Sequence, residues 1–240
     1  MPSRWLLLKQ RIKFAVGRIA PFHSDQVLLA MLERLIRQGQ VKSFVETGTY
    51  LGFSSYYLAT RYPYLAVTTI EINPEYYDLS RVGLGRLQNV RQMLGPSEQV
   101  LEATPDLFAD VGLPLFWLDA HWAEYLPLPQ ELQLISHRLS QAIIMVDDCA
   151  VPHRPDFKYD SYQGRPIDLK LIGAALDRTM SYAVIVPKYD ARIAYPKLAN
   201  PTVTGYTIVL MGLPDLVDPL SSDPFVRQHY RFLDAGVLWD

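Results

Sequence analysis

The chain holds one cysteine, Cys149, among 240 residues. An internal disulfide and a cysteine-rich zinc site are therefore excluded, and a lone thiol fits a reducing compartment. An excess of one charge is lacking as well: 23 Lys plus Arg stand against 25 Asp plus Glu, a net of −2, so no global basic field exists to hold nucleic acid or anionic lipid. No apolar run approaches the roughly 20 residues that span a bilayer, so no transmembrane segment is expected. The opening MPSRWLLLKQRIKFAVGRIAPF has basic flanks, but Lys9, Arg11 and Lys13 interrupt its apolar stretch and no small-residue cleavage pattern follows. It reads as an amphipathic helix packed on the domain rather than a signal peptide, and the expected location is cytoplasmic. Two nucleotide signatures are also missing, the dinucleotide pattern G-x-G-x-x-G and the phosphate loop G-x-x-x-x-G-K-[ST].

What is present is an alternation of hydrophobic periods in a chain that is 49% apolar. Ser24 or Asp25 caps a helix carrying Val27, Leu28, Met31, Leu32, Leu35 and Ile36, and Gly39 closes it. Strands are expected at Val41–Val45, Ala66–Ile70, Val90–Leu94, Leu115–Leu118 and Ala142–Val146. Helices are expected between them over Ser54–Arg61, from Asn73-Pro74, over Ser97–Ala109, and from Pro129 through Leu132, Ile135 and Leu139. Strands apolar on both faces and separated by amphipathic helices predict a doubly wound α/β domain with a mostly parallel sheet covered on both sides. Cys149 to Pro166 reads as a polar loop and Ile167–Arg178 as a helix, while Tyr182–Val186 and Tyr206–Met211 are closing strands, seven in all. The expected organisation is a helical extension over 1–40, a catalytic domain over 41–212 with a lid at 149–166, and a tail over 213–240 that the pattern does not resolve.

Open α/β sheets bind ligands beyond the carboxyl ends of their strands. The first strand ends in Glu46-Thr47-Gly48-Thr49-Tyr50-Leu51-Gly52-Phe53-Ser54, where Gly48 permits a tight turn and Gly52 close helix packing. The second ends in Glu71, at the spacing from a glycine turn where such folds hold ribose hydroxyls. Tyr50 stands where the second fingerprint glycine would admit a pyrophosphate, which favours a nucleoside without one. With Glu46, Gly48, Gly52 and Glu71 so placed, the chain resembles the class I S-adenosylmethionine-dependent methyltransferases. The resemblance implies a Rossmann-like methyltransferase fold. It also implies cofactor contacts at Glu46, Thr47, Gly48, Gly52, Ser54, Glu71 and Asp119, with Ser97 against the adenine or simply as a helix cap.

Further strand ends carry Asp119-Ala120-His121-Trp122 and Asp147-Asp148-Cys149. Three carboxylates in one crevice resist ionising together unless a cation or hydrogen-bond donors compensate them, and all-oxygen ligation points to magnesium. Asp119, Asp147 and Asp148 are similar to the metal set of the cation-dependent O-methyltransferases, of the catechol and macrocin types. The Asp119-x-His121 pair departs from the macrocin pattern of Asp-x-Asp. It puts an imidazole, with an ordinary pKa of about 6.5, where that pattern has an acidic base. The resemblance implies methylation of a hydroxyl on a small molecule or sugar, with Asp119 and His121 catalytic and the 149–166 loop as lid. Simpler roles stay open: a structural His121, a turn-and-cap pair at Asp147-Asp148, a core Trp117 beside a pocket-lining Trp122, and a solvated His153. A metal-dependent glycosyltransferase, a metal-assisted hydrolase and a non-catalytic nucleotide-binding protein are the rival functions, and a homodimer is left open.

Overall fold

The computed structural model describes residues 2–17, 20–108, 112–196 and 202–239. Its strands are β1 (Ser43–Thr47), β2 (Ala66–Glu71), β3 (Val90–Leu94), β4 (Pro114–Leu118), β5 (Ala142–Val146), β6 (Phe157–Lys158), β7 (Ser161–Tyr162), β8 (Arg165–Pro166), β9 (Tyr182–Pro187), β10 (Val203–Thr204), β11 (Thr207–Met211) and β12 (Tyr230–Leu233). Its α-helices are α1 (Arg4–Ala15), α2 (Gln26–Gln38), α3 (Phe53–Arg61), α4 (Pro74–Leu84), α5 (Ser97–Ala103), α6 (Leu128–Arg138), α7 (Leu169–Ala175), α8 (Ala191–Ala194), α9 (Pro214–Ser222) and α10 (Pro224–His229).

Eight strands form one sheet in the order β12-β9-β11-β5-β4-β1-β2-β3. β1 to β5 pair in parallel, β11 runs antiparallel to both β5 and β9, and β12 antiparallel to β9. Every residue of β1, β4, β5 and β11 is buried, as expected of central strands covered on both faces. The strand order reverses between β1 and β4, and a crevice opens there at the carboxyl ends.

The doubly wound reading holds, with corrections at its margins. The sheet has an eighth strand, β12, from the tail whose pattern was unresolved; at four residues it is too short for periodicity to show. α5 stops at Ala103, because Pro105 lacks an amide donor and disfavours helical geometry at Thr104; Ala109, the expected end, lies outside the described residues. α7 is shorter than expected: Asp168 caps it through the Leu171 amide, and Ile167 donates instead to the Asp160 carbonyl. The 149–166 loop is not wholly irregular, since β6 pairs with β10 and β7 with β8.

The N-terminal segment folds in two ways. α1 lays Phe14 against Phe53 and Tyr56 and ties Gln10 to the Leu51 carbonyl, yet Trp5, Leu8, Ile12 and Val16 stay exposed, so only one of its apolar sides meets the domain. Before α2 the chain makes a turn with positive φ at Phe22, His23 and Ser24 (47°, 56° and 61°). Non-glycine residues adopt this conformation only where contacts impose it. Phe22 is that contact: its ring is 2% exposed and packs edge-on against Phe44 and Trp117. Asp25 then caps α2, accepting from the Val27 and Leu28 amides at 2.8 and 3.0 Å. Phe22→Ala should lower the unfolding free energy by about 3–5 kcal/mol in a denaturant titration. A loss under about 1 kcal/mol would show that the turn is not anchored by this ring.

Candidate active site

The crevice is built from backbone before side chains. A Cβ on Gly48 would lie 2.1 Å from the Asp119 carbonyl oxygen and φ there is +85°, so glycine alone lets the turn after β1 close on the turn after β4. The Asp119 amide donates to the Thr47 carbonyl at 3.0 Å, locking the two turns. At the end of β2, the Glu71 oxygens accept the amides of Tyr50 and Asn73 at 2.7 and 2.8 Å. That fixes the carboxylate while each oxygen keeps a lone pair for a hydroxyl donor. Burial raises the Glu71 pKa above the usual range.

A cleft of about 360 Å³ runs along these ends. Tyr50, Glu71, Ile72 and Tyr76 wall it from the β2 side, with the two tyrosine rings edge-on at 4.8 Å. Asp119, His121, Asp148 and Asp160 wall it from β4, β5 and the following loop, and Gly48, Ser97, Trp122 and Tyr125 also line it.

The acidic cluster is more elaborate than a triad of carboxylates. Asp147 is 0% exposed; its Oδ2 lies 2.6 Å from Nε2 of His23, and its Oδ1 has no hydrogen-bond partner. Asp148 Oδ2 lies 3.1 Å from Nε2 of His121, which is 3.9 Å from Asp119 Oδ1. Burial first, then the charges of Asp147, Asp148 and Glu46, push the Asp119 carboxyl well above its ordinary value. The charge and hydrogen bond of Asp147 outweigh burial at His23 and raise it to about 9. At His121 burial favours the neutral ring, but the hydrogen bond and charge of Asp148, with Asp147 and Asp160, prevail and raise it.

Such a donor set suits a divalent cation. His23, Asp119 and Asp147 each offer an atom within 4.8 Å of the others, and so do Asp119, His121 and Asp148. The orphaned, fully buried Oδ1 of Asp147 is an acceptor that an ion would satisfy.

Of the residues singled out from the sequence, Gly48, Glu71, Ser97, Asp119, His121 and Asp148 line the cleft. Asp147 sits beside them, wholly buried. Four others lie behind the cleft. Glu46 is 2% exposed and accepts from Ser55 and Thr69 hydroxyls, both at 2.7 Å. Thr47 is fully buried, Gly52 packs on Ser80 and Leu84, and the Ser54 hydroxyl accepts the Phe22 amide. These residues shape the turn rather than line the cleft.

In the loop, Arg154 is occupied by Asp156 and the Tyr189 carbonyl, Tyr162 packs edge-on to His121, and His153 is exposed away from the cleft. Trp117 is core and Trp122 is 75% exposed. Cys149 is fully buried, accepts from the Thr207 hydroxyl, and is pushed by burial to about 12, so it remains a thiol.

Sequence reasoning missed His23, whose partner Asp147 lies 124 positions away, and the tyrosines at 76 and 125, and it read Tyr50 only as standing in the way of a pyrophosphate. Position offered a signal for Tyr50 and Tyr76, which occupy the glycine turn and the first turn of the helix after Glu71; nothing local marked His23.

No protein-family profile matches the chain. It is similar to bovine (Bos taurus) catechol O-methyltransferase, 28% identical over 132 residues, which is 53% of this chain and 48% of that protein. The chain thus aligns with about half the length of that relative. Among solved structures, an O-methyltransferase from Bacillus cereus in complex with SAH matches with TM-score 0.53 and 17% identity, over 88% of this chain and 92% of that one. TomG, an O-methyltransferase from Streptomyces achromogenes involved in tomaymycin synthesis and bound to SAM, matches with TM-score 0.53 and 17% identity, over 88% and 91%. The fold is therefore the Rossmann-like fold of these methyltransferases, as the glycine turn and strand-end acids implied.

The electrostatics of the first-strand motif are measurable. Burial raises the Glu46 carboxyl from 4.5 to about 7 against the opposing hydrogen bonds of Ser55 and Thr69. The folded state then binds this proton more tightly than the unfolded state, so the contribution of Glu46 to stability is greatest at low pH and is lost as pH rises from about 4.5 through 7. Between pH 6 and 8 this single group should cost the wild type roughly 1.3 kcal/mol. In Glu46→Gln, which still accepts both hydroxyls, that part of the decline should vanish in denaturant titrations at the two pH values. An unchanged decline would mean that Glu46 does not titrate there.

Proposed function

We propose that the protein transfers a methyl group from S-adenosylmethionine to a hydroxyl oxygen of a small-molecule acceptor, with a divalent cation, magnesium on the sequence reading, held by Asp119, Asp147 and Asp148. One observation carries this reading: a single cleft brings Glu71, oriented by two backbone amides, together with Asp119, His121 and Asp148. The catechol O-methyltransferase similarity and the shared fold of SAM- and SAH-bound O-methyltransferases support it.

In this reading Glu71 accepts from ribose hydroxyls, and Ile72, Tyr50 and Tyr76 offer apolar surface to a nucleoside. Ser97 borders the cleft beside this surface with its hydroxyl turned into the protein next to Glu131. The bound donor supplies the methyl group as an electrophilic sulfonium substituent. A cation at the aspartates would supply Lewis acidity that lowers the pKa of an acceptor hydroxyl. The acceptor's proton passes to the hydrogen-bonded pair of His121 and Asp148, whose Nε2 and Oδ2 lie 3.1 Å apart, and the other Asp148 oxygen is left for the cation. Trp122 and Tyr125, joined by two backbone hydrogen bonds, form the rim that an acceptor crosses.

Calorimetric titration of S-adenosylhomocysteine tests the reading, with wild type, Glu71→Ala and Asp147→Asn compared with and without magnesium. Binding in the wild type should weaken by roughly tenfold to a hundredfold in Glu71→Ala, the effect of losing hydrogen bonds to a charged acceptor. It should persist in Asp147→Asn while magnesium binding is lost. Absence of any binding to the wild type would overturn the methyltransferase reading in favour of nucleotide-sugar chemistry.

A further inference from the structure

The geometry points to His23 as a metal ligand: the cation centre is a mixed imidazole–carboxylate site formed by His23, Asp119 and Asp147, and it selects first-row transition metals over magnesium. This inference rests on the cation assignment above and revises it, keeping Asp119 and Asp147 and putting His23 and a transition metal in place of Asp148 and magnesium. Three observations carry it. His23 is brought to the strand ends by the left-handed turn, 2.6 Å from one oxygen of Asp147. The other oxygen of Asp147, fully buried, has no partner. The ligand atoms of His23, Asp119 and Asp147 all lie within 4.8 Å of one another, while ligand atoms at about 2.0–2.2 Å from a common ion stand roughly 3–4 Å apart, a small contraction.

Asp119 belongs to both potential ligand groups, and in each the histidine already meets an aspartate, His23 at 2.6 Å from Asp147 and His121 at 3.1 Å from Asp148; they differ in that the His121 ring is 1% exposed and the orphaned carboxylate oxygen belongs to Asp147. The His23 ring is 41% exposed, so its Nε2 is reachable from solvent where the His121 nitrogen is not. Its backbone is held independently, because the His23 carbonyl accepts from the Tyr195 hydroxyl and Phe22 and Asp25 anchor the flanks. The ligand is thus pre-positioned by the fold.

Chemistry gives the selectivity. Magnesium prefers an octahedron of oxygens and keeps its waters, whereas imidazole nitrogen suits cobalt, nickel, iron and zinc. Replacing one oxygen ligand by an imidazole therefore shifts the centre away from magnesium. It also makes the segment before α2 part of the active site, so cation binding steadies the positive-φ turn.

The test uses Co²⁺ and Mg²⁺ as probes on the full chain, by calorimetry and by the visible absorption of bound Co²⁺. Wild type should bind Co²⁺ at least a hundredfold more tightly than Mg²⁺. His23→Gln, which can still donate to Asp147, should lose at least tenfold in Co²⁺ affinity, change the visible band, and leave Mg²⁺ within about threefold. A second measurement needs no variant: on titrating Zn²⁺ into the ¹⁵N-histidine-labelled wild type, the His23 Nε2 resonance should move to the metal-bound range. Equal affinities for the two cations, or an unmoved His23 nitrogen, would overturn the proposal and leave His23 as an ion-pair partner of Asp147. If the wild type binds no cation at all, both this centre and the cation assignment fall. S-adenosylhomocysteine binding in the same sample then shows whether the methyl-donor reading survives.

Discussion

The site depends on one electrostatic constraint: Asp119, Asp147 and Asp148 end adjacent strands, and negative charge so close together in a poorly solvated crevice is unstable without compensation. Two imidazoles meet it in the folded chain, His23 at Asp147 and His121 at Asp148. Neither arrives cheaply in conformational terms. His23 sits in a run of positive-φ residues, and Asp148 itself has φ +50°. Backbone strain of this kind persists where the surroundings over-determine it, and here the buried Phe22 ring and the Asp25 cap do so.

The glycine turn is tight for a steric reason, the approach of the Asp119 carbonyl to Gly48. Gly48 lets the Thr47 carbonyl accept from the Asp119 amide, so the Glu71 side of the cleft and the acidic side are joined through one backbone contact. Glu46, the acid that opens this motif, stabilises it from within the core through Ser55 and Thr69 rather than facing a ligand. Its burial is the reason its proton affinity is high, and also the reason it is a poor contact for a charged cofactor group.

Much of this was legible in the sequence because it is local. Asn73 and Pro74 start α4 as their residue types require, and the acids at 71, 119, 147 and 148 stand at strand ends because the apolar runs before them stop there. What was not legible is non-local or short. His23 joins Asp147 across 124 positions, and no period or spacing encodes that contact. β12 has four residues, and its identity as a strand comes from pairing with β9. Glu46 was read by its motif position, but which way a strand-end carboxylate points depends on the hydroxyls packed around it, and Ser55 and Thr69 are set by α3 and β2.

A second buried acid shows how far compensation extends. Glu131, on α6, is 1% exposed, and burial raises its carboxyl to about 7 although the hydroxyls of Ser97 and Thr47 lie close enough to favour the charged form. Its Oε1 and both of those hydroxyl oxygens lack partners, and Ser97 borders the cleft. A neutral carboxyl is both donor and acceptor, so the protonated form can serve two hydroxyls where the ionised form can only accept. The acids near this crevice therefore divide by environment. Asp147 and Asp148 face imidazoles, whereas Glu46 and Glu131, enclosed by hydroxyls and apolar walls, favour the proton. The imidazole-paired acids stand at the Asp147–Asp148 end of the cleft, and the hydroxyl-enclosed Glu46 lies on the strand that carries the glycine turn.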